Sequence, residues 1–167
     1  MSDTKERPPL WAPWRIEYII GTKEAGCIFC NRLKNDDDRQ NLILVRGEHA
    51  FVIMNRYPYN NGHIMVAPIR HEKDITRLSR DEIAGLFTLI QKFALVFEKV
   101  MKPNGFNIGL NLGRCAGAGV EDHLHIHVVP RWDGDTNFMP VIGEVKVISE
   151  HILSTYDKLL ETYETLT

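Results

Sequence analysis

The residues best suited to do chemistry are His123, His125 and His127. The chain holds seven histidines, and three of them fall within five positions. They alternate with Leu124, Ile126 and Val128. Successive side chains of a strand point to opposite faces, so residues 123–129 as a strand put the three imidazoles in one row. The apolar set then faces a core. A helix would fan the imidazoles apart, and Val128, Val129 and a stop at Pro130 also favour the strand. A row of imidazoles suits two chemistries. One is metal binding, since neutral imidazole is a common zinc ligand. The other is acid–base and nucleophilic work on phosphate, with a ring nitrogen attacking phosphorus. The plain reading is a solvent-facing strand, but exposed strand positions seldom select histidine three times running. Spacing alone does not choose between metal and nucleophile.

Two more groups could serve such a row. Cys27-x-x-Cys30 lies in what reads as a knuckle-like turn, and a tetrahedral site would need two further ligands. His63 starts a predicted strand after the turn-rich stretch 55–62, and His71 follows its exit. His49 reads as an exposed turn residue. Ahead of the histidines, the loop 113–120 carries Gly113, Gly117 and Gly119. Glycine lets backbone N–H groups approach an anion closely. Asn107, Gly109 and Asn111 share one face of a predicted strand over 106–112, where asparagine side chains can reach ribose or phosphate. Cys115 reads as a spectator.

The elements that must position these residues are legible from periodicity. Strands are predicted at 42–45, 50–54 and 63–67, with a short one at 145–148. Residues 31–40 read as a polar loop. Ser79 and Glu82 form a capping-box pattern that opens a long helix. Within it Ile83, Leu86, Phe87, Ile90, Phe93, Ala94 and Phe97 recur at helical spacing, and 103–105 stops it. A last helix spans 150–166, capped by Ser149, with Tyr156 and Leu159 inward. Residues 1–9 read as a mobile tail and 10–167 as a single domain. Trp11 and Trp14 need cover, from the domain's own core or from a dimer contact or lid.

Composition narrows the class. A hydrophobic fraction of 44% and a charged fraction of 25% fit an ordinary soluble domain. A formal net charge of −2 argues against a general nucleic-acid surface, so an anionic substrate needs local donors. The sequence has no membrane-length apolar run and no signal-like start, which predicts a cytoplasmic protein.

The motif His123-Leu-His125-Ile-His127-Val-Val129 matches the histidine-triad pattern, in which three histidines alternate with apolar residues. Upstream, Asn55-Arg-x-Pro-x-x-x-Gly62-His63-x-x-Val-x-Pro68 also resembles that superfamily, and the likeness runs from about Cys27 to Arg131. Further stretches resemble its bacterial diadenosine polyphosphate phosphorylase-like (ATP adenylyltransferase-like) branch. They are Leu10-Trp-x-Pro-Trp-Arg-x-x-Tyr18-Ile, Gly105-Phe-Asn-Ile-Gly109 and Pro130-Arg-Trp-x-Gly-Asp-x-Asn137-Phe. The resemblance implies an α+β fold, largely an antiparallel sheet flanked by a long central helix and a C-terminal helix, and a homodimer. It implies cleavage of dinucleoside polyphosphates at the α-phosphate, through a nucleotidyl adduct on His125. Inorganic phosphate would be the acceptor, giving ADP and ATP from diadenosine tetraphosphate.

Alternatives are hydrolysis of dinucleoside polyphosphates or nucleoside phosphoramidates, and a nucleotide-binding signalling module with vestigial catalysis. His127 is implied to contact phosphate or the leaving oxygen. Asn55, His63, Asn111, Gly117, Gly119, Val120 and Asn137 are implied to bind nucleotide. Many relatives carry Gln-Ser or Gln-Thr before the triad; Gly119-Val120-Glu121-Asp122 removes that side-chain donor here. Zinc-containing relatives imply a structural zinc on Cys27, Cys30, His71 and His123. The mechanism requires the middle ring to reach a nucleotide-sized cleft.

Overall fold

The computed structural model describes residues 25–135 and 150–166. The predicted tail, the tryptophan-rich stretch, the strand at 145–148, the Ser149 cap and Asn137 lie outside them. The elements run α1 (Ile28–Leu33), α2 (Asp38–Asn41), β1 (Ile43–Arg46), β2 (Ala50–Met54), β3 (Ile64–Pro68) and α3 (Arg80–Val100). They continue with β4 (Gly105–Leu110), β5 (Ile126–Arg131) and α4 (Ile152–Leu166). The region expected to be a loop at 31–40 thus holds the end of α1 and most of α2, which Asp37 caps through the Gln40 amide. A four-residue helix on a polar background leaves no periodic signal.

Five strands form one sheet in the order β1-β2-β3-β5-β4, and every neighbouring pair is antiparallel. Register assigns the faces. Val52, Val66, Ile126 and Leu110 stand in one cross-strand row, and Phe106 shares their face. This side packs on α3, with the Phe97 ring 5.8 Å from Phe106. Phe51, Ala67, Met65 and His127 share the other face, where Phe29 of α1 lies 6.1 Å from Phe51. Both faces are therefore covered. That is why β2 and β3 read as unbroken apolar runs, buried along their whole length.

The capping box of α3 forms as predicted: Ser79 accepts from the Glu82 amide, and Glu82 accepts from the Ser79 amide. Such a cap contributes about 1 kcal/mol. The buried stripe is Leu86, Leu89, Ile90, Phe93, Val96 and Phe97. Ile83 and Phe87, predicted to face inward, are exposed. The stripe's true axis runs through Leu89 and Val96, which rotates those two residues out. α4 packs on α3 and β1, and Tyr156 donates to the Ile43 carbonyl at 2.8 Å.

β5 runs through Pro130 instead of stopping there. Its pairing to β3 ends at Val128, so Pro130 faces only β4, and its missing N–H interrupts no ladder on the β3 side. Among the described residues no helix is long and apolar enough to cross a membrane.

Candidate active site and metal centre

Four predicted ligands converge at one end of the sheet. Cys27 caps α1 and Cys30 sits inside its first turn, so the pair opens a helix instead of forming a knuckle. Residues three apart on a helix share a side, which aims both sulfurs one way. His71 follows the exit of β3. That exit is braced by Arg70, which donates to Glu82 at 2.7 and 2.9 Å and to Glu72 at 3.0 Å. The Leu124 amide donates to the Glu72 carbonyl at 2.7 Å, tying the same loop to the triad.

Cys27 Sγ then lies 3.4 Å from His123 Nδ1, and Cys30 Sγ lies 3.3 Å from His71 Nδ1 and 3.7 Å from His123 Nδ1. All four donor atoms fall within 4.8 Å of one another. Metal–sulfur bonds of ~2.3 Å and metal–nitrogen bonds of ~2.0 Å in a tetrahedron require separations of this size. The residues present therefore fit a metal ion. Burial raises the Cys30 thiol above its ordinary value, and neighbouring Cys27 adds to the effect. Burial also holds His123 below the usual imidazole value, against the opposing bond to the Pro68 carbonyl.

The triad itself is only partly a strand. Regular pairing begins at Ile126, so His127 alone of the three lies in β5. The Leu124–Glu72 bond pulls residues 123–125 away from the ladder. Alternation survives that bend: Leu124, Ile126 and Val128 are all buried. The histidine side is covered as well, with His123 at 0% and His125 at 6% exposure. His125 is thus enclosed, whereas the mechanism expected from the sequence requires its ring to reach a nucleotide-sized cleft. A cavity of about 510 Å³ is lined by Arg39, Gln40, Arg56, His151 and Leu153 and not by the triad.

Hydrogen bonds assign the ring protons. His123 Nε2 lies 2.8 Å from the Pro68 carbonyl, which can only accept, so His123 carries its proton there and offers Nδ1 to the cysteines. His125 Nδ1 lies 2.9 Å from the His123 carbonyl and must donate. The lone pair of neutral His125 is then on Nε2, and no donor among the described residues reaches it. His63 Nδ1 accepts from the Tyr59 amide at 3.1 Å. Its Nε2–H therefore donates to His127 Nδ1 at 2.9 Å, which leaves the proton of His127 on Nε2. One ring carries a lone pair on Nε2 and its neighbour a proton on Nε2, with centroids 4.9 Å apart. Burial depresses the His125 ionisation, outweighing the bond to the His123 carbonyl, and so favours the neutral form.

A family model described as the HIT domain matches residues 37–134. The chain belongs to the HIT domain family. It is 38% identical over 154 residues, 87% of this chain and 79% of the relative, to a Mycobacterium tuberculosis protein described as AP-4-A phosphorylase. It is 33% identical to the Schizosaccharomyces pombe bis(5'-nucleosyl)-tetraphosphatase [asymmetrical], over 56% of this chain and 50% of that one. Among solved structures, a Zn-bound histidine triad family protein from Mycobacterium smegmatis superposes with a TM-score of 0.69 at 26% identity. The match covers 84% of this chain and 95% of that one. The α+β HIT fold expected from the sequence is thereby established.

In this HIT domain the remaining predicted residues divide. Asn55 sits beside the rings: its amide nitrogen is 3.3 Å from His63 Nδ1, and its oxygen accepts from the Tyr57 amide at 2.9 Å. His63 is fully buried. Gly62 delivers it through a positive φ of +75°, and a Cβ there would come within 3.0 Å of both Met101 and Phe97. Asn111, Gly117, Gly119 and Val120 occupy the loop between β4 and β5. Among the described residues neither Asn111 nor Gly117 bonds to the histidine group. β4 ends at Leu110, one residue short of Asn111.

Two residues escaped the sequence reading. Tyr59 stacks on His63 with centroids 4.7 Å apart. Phe29 lies 5.2 Å from His123 and 5.0 Å from His125. The available signal for Phe29 was its place inside Cys-x-x-Cys, but only a helix there turns it toward the triad.

Proposed function

We propose that the chain is an enzyme cleaving dinucleoside polyphosphates at the α-phosphorus, with His125 as nucleophile and inorganic phosphate as second acceptor. The observation that carries this reading is the enclosed Nε2 of His125, without a donor among the described residues, beside the Nε2–H of His127. A buried acceptor without a donor calls for an explanation, and a phosphorus electrophile supplies one. With diadenosine tetraphosphate, the Nε2 lone pair forms a bond to the α-phosphorus. The bond to the bridging oxygen breaks, and ATP leaves with that oxygen and its electron pair. His127 donates a hydrogen bond to the departing oxygen. A phosphate oxygen then attacks the adenylylated phosphorus, returns the electron pair to His125 and releases ADP.

His63 keeps the proton of His127 on the substrate side. Asn55, Asn111 and Asn137 are assigned to ribose and phosphate, and the amides of Gly117, Gly119 and Val120 to equatorial oxygens. Zinc is the metal that a Cys2His2 set suits, and it would act as a structural clamp on the triad's first residue. The identity to the M. tuberculosis relative favours phosphorolysis over hydrolysis. A homodimer fits β4, an edge strand among the described residues, with Ile108 on it and Phe87 and Leu95 on α3 exposed.

The test is product analysis of diadenosine tetraphosphate with and without inorganic phosphate. ADP plus ATP, formed only when phosphate is present, is expected. AMP plus ATP without phosphate would make the enzyme a hydrolase, and no cleavage in either case would leave a binding module.

A further inference from the structure

We infer that Phe29 is a positioning residue for His125: α1 holds the Phe29 ring against the nucleophile's imidazole and so fixes the direction of its Nε2 edge. The inference rests on the proposed role of His125 and adds to it a residue outside the matched family stretch, which begins at residue 37.

The argument starts from what holds the imidazole. Its Nδ1 bond to the His123 carbonyl fixes one ring atom. A single bond still allows the ring to rock, because the torsion joining it to Cβ is broad. A second restraint must come from contacts on the ring itself. Two aromatic contacts supply it: His127 edge-on at 4.9 Å and 77°, and Phe29 tilted at 5.0 Å and 45°.

Phe29 is itself fixed. It is 1% exposed and also meets Phe51 and His123 at 6.1 and 5.2 Å. Its backbone lies between Cys27 and Cys30, so whatever anchors the two sulfurs also anchors this ring. The helix with its cysteine pair therefore does more than fill space under the sheet. It carries a side chain from the metal centre to the reacting atom's own ring. A displacement of ~1 Å at a reacting centre can cost ~10²-fold in rate.

The test compares Phe29→Ala and Phe29→Leu with Phe93→Leu, a core change on the opposite face of the sheet. For each protein, kcat and KM with diadenosine tetraphosphate are measured, together with zinc content and thermal stability. The His125 ring C–H resonance is followed in a carbon-correlated proton NMR spectrum and identified by its loss in His125→Ala. Phe29→Ala is expected to lower kcat ~10²-fold with KM within ~3-fold and zinc retained, and to shift the His125 resonance. Phe29→Leu, which restores bulk, is expected to recover most of that kcat.

A kcat loss no larger than that of Phe93→Leu would reduce Phe29 to core filling and overturn the inference. A raised KM with unchanged kcat, or an unmoved His125 resonance, would overturn it too. If Phe29→Ala does not fold, the His125 resonance of Phe29→Leu decides: an unshifted resonance refutes positioning, and a shifted one supports it. Should the wild type cleave no dinucleoside polyphosphate, the functional reading falls by itself, and the resonance still decides the role of Phe29.

Discussion

His123 and His125 are two residues apart, both buried, and opposite in their ring chemistry. His123 donates through Nε2 to Pro68 and turns Nδ1 to two sulfurs. His125 donates through Nδ1 to the His123 carbonyl and keeps Nε2 for whatever approaches. On the proposed reading one motif thus contains a metal end and a phosphate end, and the backbone carbonyl that each ring finds separates them. Type and spacing cannot reveal this. The geometry of the carbonyls does, because a carbonyl only accepts and so assigns the proton.

The sharpest way to break the comparison is at the phosphate end. His125→Ala is expected to reduce turnover by a factor on the order of 10⁴ or more, since it removes the group that forms the covalent bond. Nucleotide affinity, read by titration calorimetry, is expected to stay within a few-fold. Turnover near that of the wild type would return His125 to the status of a buried structural ring. At the metal end the expected loss is of a different kind. Cys27→Ser removes one of four ligands, so zinc content should fall, and with it the melting temperature by roughly 5–10 °C. Metal analysis and scanning calorimetry on the same sample check this. A metal-free variant with unchanged melting would show that the cysteine pair clamps nothing.

The two ends were unequally legible in the sequence. The sheet, the capping box at Ser79 and the gathering of Cys27, Cys30, His71 and His123 follow from periodicity and from motifs that match a known pattern. The details between them do not. The helix at Cys27-x-x-Cys30 is too short to show a period, so nothing in the sequence turned Phe29 toward the triad. The late start of β5 comes from the Leu124–Glu72 bond, a tertiary contact between residues 52 positions apart. That bend, with the cover of α1, encloses the row of imidazoles. The exposure of Phe87 shows the same limit on α3, where seven apolar positions allow more than one stripe and only the sheet chooses.

The smallest expected effect sharpens the comparison from outside. Arg70 precedes His71 and pairs with Glu82, whose carboxyl the Arg70 guanidinium and the Ser79 amide hold down at about 2 from an ordinary 4.5. A folded-state value below the unfolded one stabilises the protein fully above about pH 4.5, and that contribution fades as the pH drops toward 2. Glu82→Gln keeps a side chain able to complete the capping box while removing the charge. Near neutral pH the variant should melt about 2–4 °C lower, for the loss of about 1 kcal/mol in a partly exposed pair. Between pH 4.5 and 2 its melting temperature should fall less steeply than the wild type's. The loop of His71 reaches the peptide that orients His125 only through the Glu72 carbonyl, and Glu82→Gln leaves the bonds of Glu72 to Arg70, Lys73 and Asp74 in place, so kcat at neutral pH should stay unchanged. A kcat that fell with the brace would mean that the two ends of the triad move as one body, and the division between them would have to be redrawn.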